Sequence, residues 1–272
     1  MKNKAKKIFA GIILSLAGMV FLTGCSMSTE QKAALDLISE KSNKIVNILE
    51  ENMKYNNKNL SKQEAAEKIL IGRNMFKFAN FNEFEMSMIQ NEYYGIFDKI
   101  KSTYTSDENT PWRWIYRKYG NSKIFATAEG NVLDGIKISD FAKNEHLEWN
   151  NGDSSFSSRE YETDDFVFDQ FDNFLSGFIA SEITSNHIKD IIVTDNGYEF
   201  NAYVNSPAMA TGADVESRLN ISFDGFITKW ICKAVINNSN EYESIYVEFN
   251  FKYNNIDFSG IDAKISELNA AN

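Results

Sequence analysis

The sequence has two histidines, His146 and His187, and we considered them as metal ligands together with Glu148 and Cys232. The run His146-Leu147-Glu148 fits H-x-E, which opens the zinc deaminase signature, but the P-C-x-x-C half of that signature is missing. His187 lies far along the chain, and Cys232 is the only cysteine after residue 25. The sequence therefore predicts no metal site, and His146 is interpreted as a histidine at the surface of a strand.

Motifs of catalysis and cofactor binding are also missing. The sequence has no G-x-S-x-G, P-loop, G-x-G-x-x-G or H-E-x-x-H. The acidic residues Glu160, Glu162, Asp164 and Asp165 are interpreted as solvated charges at the start of a helix, because they form no carboxylate pair at a defined spacing. Asp195-Asn196-Gly197 is interpreted as a hairpin turn, since the spaced ligands of a calcium loop are absent. We therefore expect no enzyme and no cofactor.

The most informative thiol is that of Cys25, which follows a charged and then an apolar segment. Four lysines precede Ile8–Leu22, an uncharged stretch of about 15 residues, which is shorter than the ~20 that a spanning helix needs. This order is typical of a secretory signal peptide. The run Leu22-Thr23-Gly24-Cys25 resembles the lipobox of bacterial lipoproteins. The alternatives are a plain signal peptide or an uncleaved anchor in which the cysteine is incidental.

The lipobox resemblance implies a location for the protein. The Cys25 sulfur would carry a diacylglyceryl group, and cleavage would leave Cys25 as the first residue. The predicted organisation is a signal peptide (1–24), a lipidated tether (25–30) and a single α+β domain (31–272), anchored on the extracytoplasmic face of the cell membrane. The diacylglyceryl group carries two acyl chains, which hold the protein at the membrane, whereas one chain alone binds a membrane only marginally. Cys232 is then left without a disulfide partner and is interpreted as a small buried hydrophobe.

Composition limits the classes of partner. Removal of residues 1–24 takes four of the 28 basic residues and none of the 38 acidic ones, which leaves a net charge of −14. A surface of this sign repels nucleic acid, so we expect no nucleic-acid binding. Hydrophobic residues make up 43% of the chain and only two prolines occur, which favours one folded domain without a linker.

Helical periodicity appears in four places. Apolar residues recur at helical spacing over about 29–54, and a capping box at Ser61–Glu64 opens a second helix over 62–71, which Gly72 is expected to end. The aromatic segment 164–184 has a third apolar stripe. Ile261, Ile265 and Leu268 indicate a short final helix.

Most of the remaining sequence has the two-residue periodicity of β-strands. Alternation of apolar and polar residues around Met86, Trp114, Ala126 and Trp149 predicts strands, and the last ninety residues alternate between short Asn-Gly and Asp-Gly turns. The predicted fold is an α+β protein in which one apolar face of a long antiparallel sheet is covered by helices and the other face is solvated.

This order resembles the LolA/LppX-like superfamily of bacterial carrier and lipoprotein domains. The resemblance depends on the lipobox with a helix soon after it, the hairpin "LEWNNGDSSF" before an apolar helix, and the meander "LNISFDGFITKWICKAVI…YVEFNFKYNNIDF". It implies a curved half-barrel closed by helices, with an apolar cavity between them that receives a lipid or another hydrophobic ligand.

Two functions remain open at this point. In the first, a non-catalytic lipoprotein binds a hydrophobic ligand in that cavity, with Phe171, Phe174 and Phe178 on the helix side and Trp230, Phe249 and Phe251 on the sheet side. In the second, the same residues fill a solid core, and the protein binds another envelope protein through its surface. Periodicity cannot separate the two, because a filled core and a hollow one both need apolar inward faces.

Overall fold

The computed structural model describes residues 47–56, 58–75, 81–96, 99–105, 110–119, 122–140, 143, 145–158, 183–206, 213–238 and 241–270. All of these residues belong to one compact unit, Ile45–Asn272. The predicted lipidation site, Cys25, and the predicted ligand-binding residues Phe171, Phe174 and Phe178 lie outside the described residues. Within the described residues, no helix combines the length and the apolar character that a membrane span requires.

The described strands form one antiparallel sheet. In chain order the strands are β1 (Glu83–Ile96), β2 (Lys99–Thr105), β3 (Trp112–Tyr119), β4 (Ser122–Glu129), β5 (Val132–Asp140), β6 (Glu145–Asn150), β7 (Ser157–Ser158), β8 (Ile188–Val193), β9 (Gly197–Ser206), β10 (Ala213–Ser222), β11 (Ile227–Asn238) and β12 (Glu241–Lys252). Their order across the sheet is β7-β6-β5-β4-β3-β1-β12-β11-β10-β9-β8. The sheet is open, because β7 and β8 are its two ends in the described part of the chain.

Strand β1 lies at the centre and is long enough to hold three neighbours. Its first half pairs with β3, its second half pairs with β2 on the same side, and β12 pairs along the other side. The sequence analysis did not predict β2 or β5. Strand β2 has little apolar alternation, and Gly135 weakens the alternation of β5.

Three described segments are helical: α1 (47–54), α2 (Lys62–Asn74) and α3 (Ser259–Ala270). The predicted capping box of α2 is confirmed, because Ser61 Oγ accepts a hydrogen bond from Glu64 N at 3.2 Å and Glu64 Oε2 accepts one from Ser61 N at 2.8 Å. The predicted final helix is confirmed as α3. The predicted helix 164–184 lies outside the described residues except for Ile183 and Thr184, which are not helical.

Gly72 does not end α2, as the sequence analysis expected. The helix continues to Asn74, and Gly72 is buried on the side that faces the β10–β11 turn. A Cβ atom at Gly72 would lie 2.9 Å from the carbonyl oxygen of Gly225. The glycine is therefore required for close approach of the helix to the sheet rather than for helix termination.

The strand register divides the sheet into two faces. We call the face that carries Phe84, Met86 and Met88 of β1 the aromatic face, and the face that carries Glu85 and Ser87 the opposite face. On β9–β12 the prediction of one apolar and one polar face is confirmed. The opposite face there carries charged pairs such as Lys229 Nζ with Glu248 Oε1 at 2.7 Å.

Over β3–β6 the opposite face also becomes apolar, while Tyr116 and Phe125 continue the buried cluster of the aromatic face into β3 and β4. Ile115, Ala126, Ile136 and Trp149 are aligned across these four strands on the opposite face, and all are buried. Helix α3 packs against them and supplies Ile261 and Leu268 to the same cluster. The described residues therefore form two hydrophobic cores, one on each face of the sheet, and both include residues of β3 and β4.

Candidate functional site

The aromatic face is the candidate site, because the residues proposed for the sheet side lie on it together. One cross-strand row runs over seven neighbouring strands from β8 to β3, through β9, β10, β11, β12 and β1. Its members are Ile191, Phe200, Leu219, Trp230, Phe249, Met88 and Trp112. At 4.7–4.9 Å between strands, the row is about 29 Å long.

Trp230, Phe249 and Phe251 lie at the centre of this face. The rings of Trp230 and Phe249 stack with their centroids 5.1 Å apart and their planes 7° apart, and Phe249 stacks on Phe251 at 6.3 Å. Trp230 is 2% exposed, Phe249 1% and Phe251 5%. The structure thus brings the three sheet-side candidates together in a buried aromatic stack.

Trp112 and Trp114 extend the aromatic face towards β4. Trp112 is aligned with Met88, and Trp114 with Met86. Both tryptophans pack against the core of this face but are only partly buried. The buried cluster of this face also includes Tyr116 of β3 and Phe125 of β4.

Helix α2 covers the end of the aromatic face near the β10–β11 turn. Its Ala65 and Ile69 are fully buried in the same hydrophobic cluster as Phe200 and Trp230. The apolar stripe continues at Gly72, one turn beyond Ile69. The buried side of α2 therefore faces the sheet.

Lys68 lies on the same buried stripe and is fully buried, which the sequence analysis did not foresee. Its Nζ donates a hydrogen bond to the Asn52 carbonyl at 3.1 Å and lies 5.3 Å from the centroid of the Tyr198 ring. Burial lowers the pKa of Lys68 to about 8, an effect that the nearby carboxylate of Asp224 partly opposes. The spacing indicates that Lys68 is on the buried side of α2, because position 68 lies three residues after Ala65 and four before Gly72.

Lys68 belongs to a group of polar contacts that fix the end of α1. The hydroxyl of Tyr198 donates to the Tyr55 carbonyl at 3.2 Å, and Asn52 Nδ2 donates to the Gly225 carbonyl at 3.3 Å. The Asn52 carbonyl also accepts a hydrogen bond from Tyr55 N at 3.3 Å, so Lys68 and Tyr198 add to the hydrogen bonds that end α1. These hydrogen bonds attach the C-terminal end of α1 to α2 and to the sheet.

The remaining candidate ligands among the described residues are not grouped into a metal site. Cys232 is buried on the aromatic face, and burial raises the pKa of its thiol to about 11, as its interpretation as a small hydrophobe requires. His146 is 5% exposed, so its interpretation as a surface histidine is wrong. It lies opposite the buried Ser139 on the aromatic face. Among the described residues, no three His, Cys, Asp or Glu side chains are grouped to hold a metal ion.

Comparison with known proteins adds no relative to this description. No protein-family model matches the sequence, and a search of curated proteins found no significant match.

Proposed function

We propose that this protein is a non-catalytic, extracytoplasmic lipoprotein that binds a lipid or another hydrophobic ligand against the aromatic face of its sheet. The observation that carries the proposal is the apolar row of about 29 Å across seven strands. That length is comparable to the ~30 Å hydrocarbon core of a bilayer, so it can accommodate the alkyl chain of a membrane lipid. Binding would depend on buried apolar area, at roughly 25 cal/mol per Å².

The proposal includes the finer architecture that the sequence predicts. The sheet would curve into a half-barrel, and the apolar stripe of Phe171, Phe174 and Phe178 would face Trp230, Phe249 and Phe251 across the ligand. Antiparallel sheets of long strands coil because each strand has a right-handed twist, which favours such curvature. The lipid on Cys25 would hold the protein at the membrane from which the ligand comes.

A second function is favoured by the close stacking of Trp230 on Phe249 and by their near-complete burial. Rings packed in this way are typical of a filled core. In this alternative the aromatic face has no ligand, and the protein binds another envelope protein through its surface.

The two functions are separated by the contents of the purified protein. The full chain is purified from its host, extracted with organic solvent and analysed by mass spectrometry for molecules other than the acyl chains on Cys25. The ligand-binding function predicts about one hydrophobic molecule per chain. An extract that holds none, from protein that also fails to take up added fatty acid, favours the interaction module.

A further inference from the structure

The sequence contains two Asn-Gly pairs, Asn151-Gly152 and Asn196-Gly197. Each asparagine is exposed and lies in a turn, the first between β6 and β7 and the second between β8 and β9. The glycines differ, because Gly152 is exposed and Gly197 is buried. The chain therefore presents the same chemical group twice, in two different surroundings.

The turn at Asn151 leaves the following peptide nitrogen open to attack. Residues 150–153 form a β-turn in which Asp153 N donates to the Asn150 carbonyl at 2.9 Å, and Gly152 has a φ of +104°, as the third position of a type II turn requires. A Cβ atom at Gly152 would have nothing within 4 Å. Within the described residues, no hydrogen bond restrains the Gly152 N–H or the Asn151 side-chain amide.

The turn at Asn196 is held much more firmly. The Asn196 carbonyl accepts a hydrogen bond from Phe223 N at 3.1 Å, and the Gly197 carbonyl accepts one from Thr194 N at 3.0 Å. A Cβ atom at Gly197 would overlap the Ile221 carbonyl oxygen, so the main chain is tightly packed there. The peptide between Asn196 and Gly197 is therefore fixed on both sides.

We propose that Asn151 is a site of spontaneous covalent modification in the folded protein, where it deamidates to aspartate and isoaspartate, whereas Asn196 is protected. The reaction needs the main-chain nitrogen of the next residue to approach the asparagine side chain. Glycine permits this approach best, because it has no Cβ atom and its backbone is free to rotate. The contacts of Asn196 and Gly197 oppose the same rotation.

The chemistry uses only the chain and water. Gly152 N attacks Cγ of Asn151, the new N–Cγ bond closes a five-membered succinimide ring, and the side-chain nitrogen leaves as ammonia with the proton of the Gly152 amide. One water molecule then opens the ring. Cleavage of the N–Cγ bond gives aspartate, and cleavage of the original peptide bond gives isoaspartate, in which the main chain runs through Cβ and Cγ.

Either product changes the turn that holds a core residue. A new carboxylate at position 151 lies two residues from Asp153, whose own carboxylate accepts a hydrogen bond from Asn150 N at 3.0 Å. Isoaspartate also lengthens the main chain of the turn. Trp149 Nε1 donates to the Asp153 carbonyl at 2.9 Å, and Trp149 is buried in the core that α3 covers. Modification of this exposed turn therefore acts on a residue of the core.

The test incubates the purified full chain at mildly alkaline pH, with a parallel sample unfolded in urea. Peptides are prepared at acidic pH and analysed by mass spectrometry with electron-transfer fragmentation, which distinguishes isoaspartate from aspartate. In the folded protein we expect both products at Asn151, and conversion at Asn196 slower by about tenfold or more, the factor expected where a hydrogen bond must break first. In urea the two sites should react at similar rates.

Asn151→Gln keeps the amide but would have to close a larger ring, so it should remove conversion from this turn. Asn196→Gln is the matched control and should leave the rate at Asn151 unchanged. The proposal is overturned if Asn151 stays intact in the folded protein, if Asn196 reacts there as fast as Asn151, or if aspartate forms without isoaspartate. None of these outcomes depends on whether the protein binds a lipid.

Discussion

At the scale of single residues, the buried lysine of α2 is the most unusual group in the described structure. A fully buried ammonium with one hydrogen bond and one aromatic ring beside it is stabilised less than it would be in water. Its lowered pKa has a direct consequence for folding. Between the folded value of about 8 and the ordinary value of 10.5, the unfolded chain binds more protons than the folded chain.

Stability should therefore rise with pH in this interval. The contribution of Lys68 to the free energy of unfolding is fully present above pH 10.5 and is lost as the pH falls towards 8. We expect a rise of about 2 kcal/mol between pH 8 and pH 10, which urea unfolding at constant ionic strength measures. Lys68→Met should remove the rise, whereas Lys62→Met, on the exposed side of the same helix, should keep it. Identical pH profiles for wild type and Lys68→Met would contradict this account.

The interval ends near pH 10 because tyrosines then begin to act in the other direction. Burial raises the pKa of Tyr198 and raises that of Tyr253 well above its ordinary value of 10.0. Their contribution is present below pH 10 and is lost as the pH rises through the folded values, since the unfolded chain ionises first. The comparison of the two lysine variants is therefore made below pH 10.

Gly72 and Gly260 provide a second test at this scale, because both are helical and only one is crowded. A Cβ at Gly72 would meet the Gly225 backbone, whereas a Cβ at Gly260 would have nothing within 4 Å. We expect Gly72→Ala to destabilise the fold by about 1–3 kcal/mol in spite of the better helix propensity of alanine. Gly260→Ala should be neutral or slightly stabilising. Equal effects in chemical unfolding would show that α2 does not approach the sheet as closely as described.

At the scale of elements, α3 is as much a core helix as α2, although the two lie on different faces of the sheet. Leu268 is 2% exposed in the core over β3–β6, and Leu70 of α2 is 50% exposed. Leu268→Ala should lower the free energy of unfolding by about 2–4 kcal/mol. The same change at Leu70 should cost less than about 0.5 kcal/mol. A loss of similar size at both leucines would mean that α3 is not packed against the sheet.

The sequence predicts elements well where one periodicity dominates. The capping box at Ser61, the final helix and the C-terminal strands are confirmed, because their local signals agree with their packing. Two strands are missed for physical reasons. Strand β2 has little apolar alternation, and Gly135 interrupts the alternation of β5 at the point where the register shifts.

The candidate site was predictable only in part. The alternation around Trp230, Phe249 and Phe251 indicates that they share a face, but not that their rings stack. The second apolar row, on the opposite face over β3–β6, follows from the register of several strands, which no local pattern contains. The burial of Lys68 was visible in its spacing but contradicts the usual preference of lysine for solvent.

At the scale of the whole molecule, the proposed lipid anchor makes a simple prediction about location. Cys25→Ala should move the protein from the detergent phase to the aqueous phase in Triton X-114 partitioning, because the acyl chains supply the membrane affinity. Cys232→Ala is the matched control, since this buried cysteine lies in the sheet and should not affect partitioning. Membrane association of Cys25→Ala at the wild-type level would rule out the anchor.

The most direct test of the proposed function is contact quenching of tryptophan by a brominated fatty acid, 9,10-dibromostearate, added to purified full-length protein. Bromine quenches only indoles in near contact. Trp230 lies on the aromatic face, whereas Trp149, which is equally buried, lies in the core of the opposite face. We expect saturable quenching at one fatty acid per chain, a smaller quenched fraction in Trp230→Phe and an equal or larger one in Trp149→Phe. Quenching that does not saturate, or that is unchanged in Trp230→Phe, would contradict a ligand site on the aromatic face.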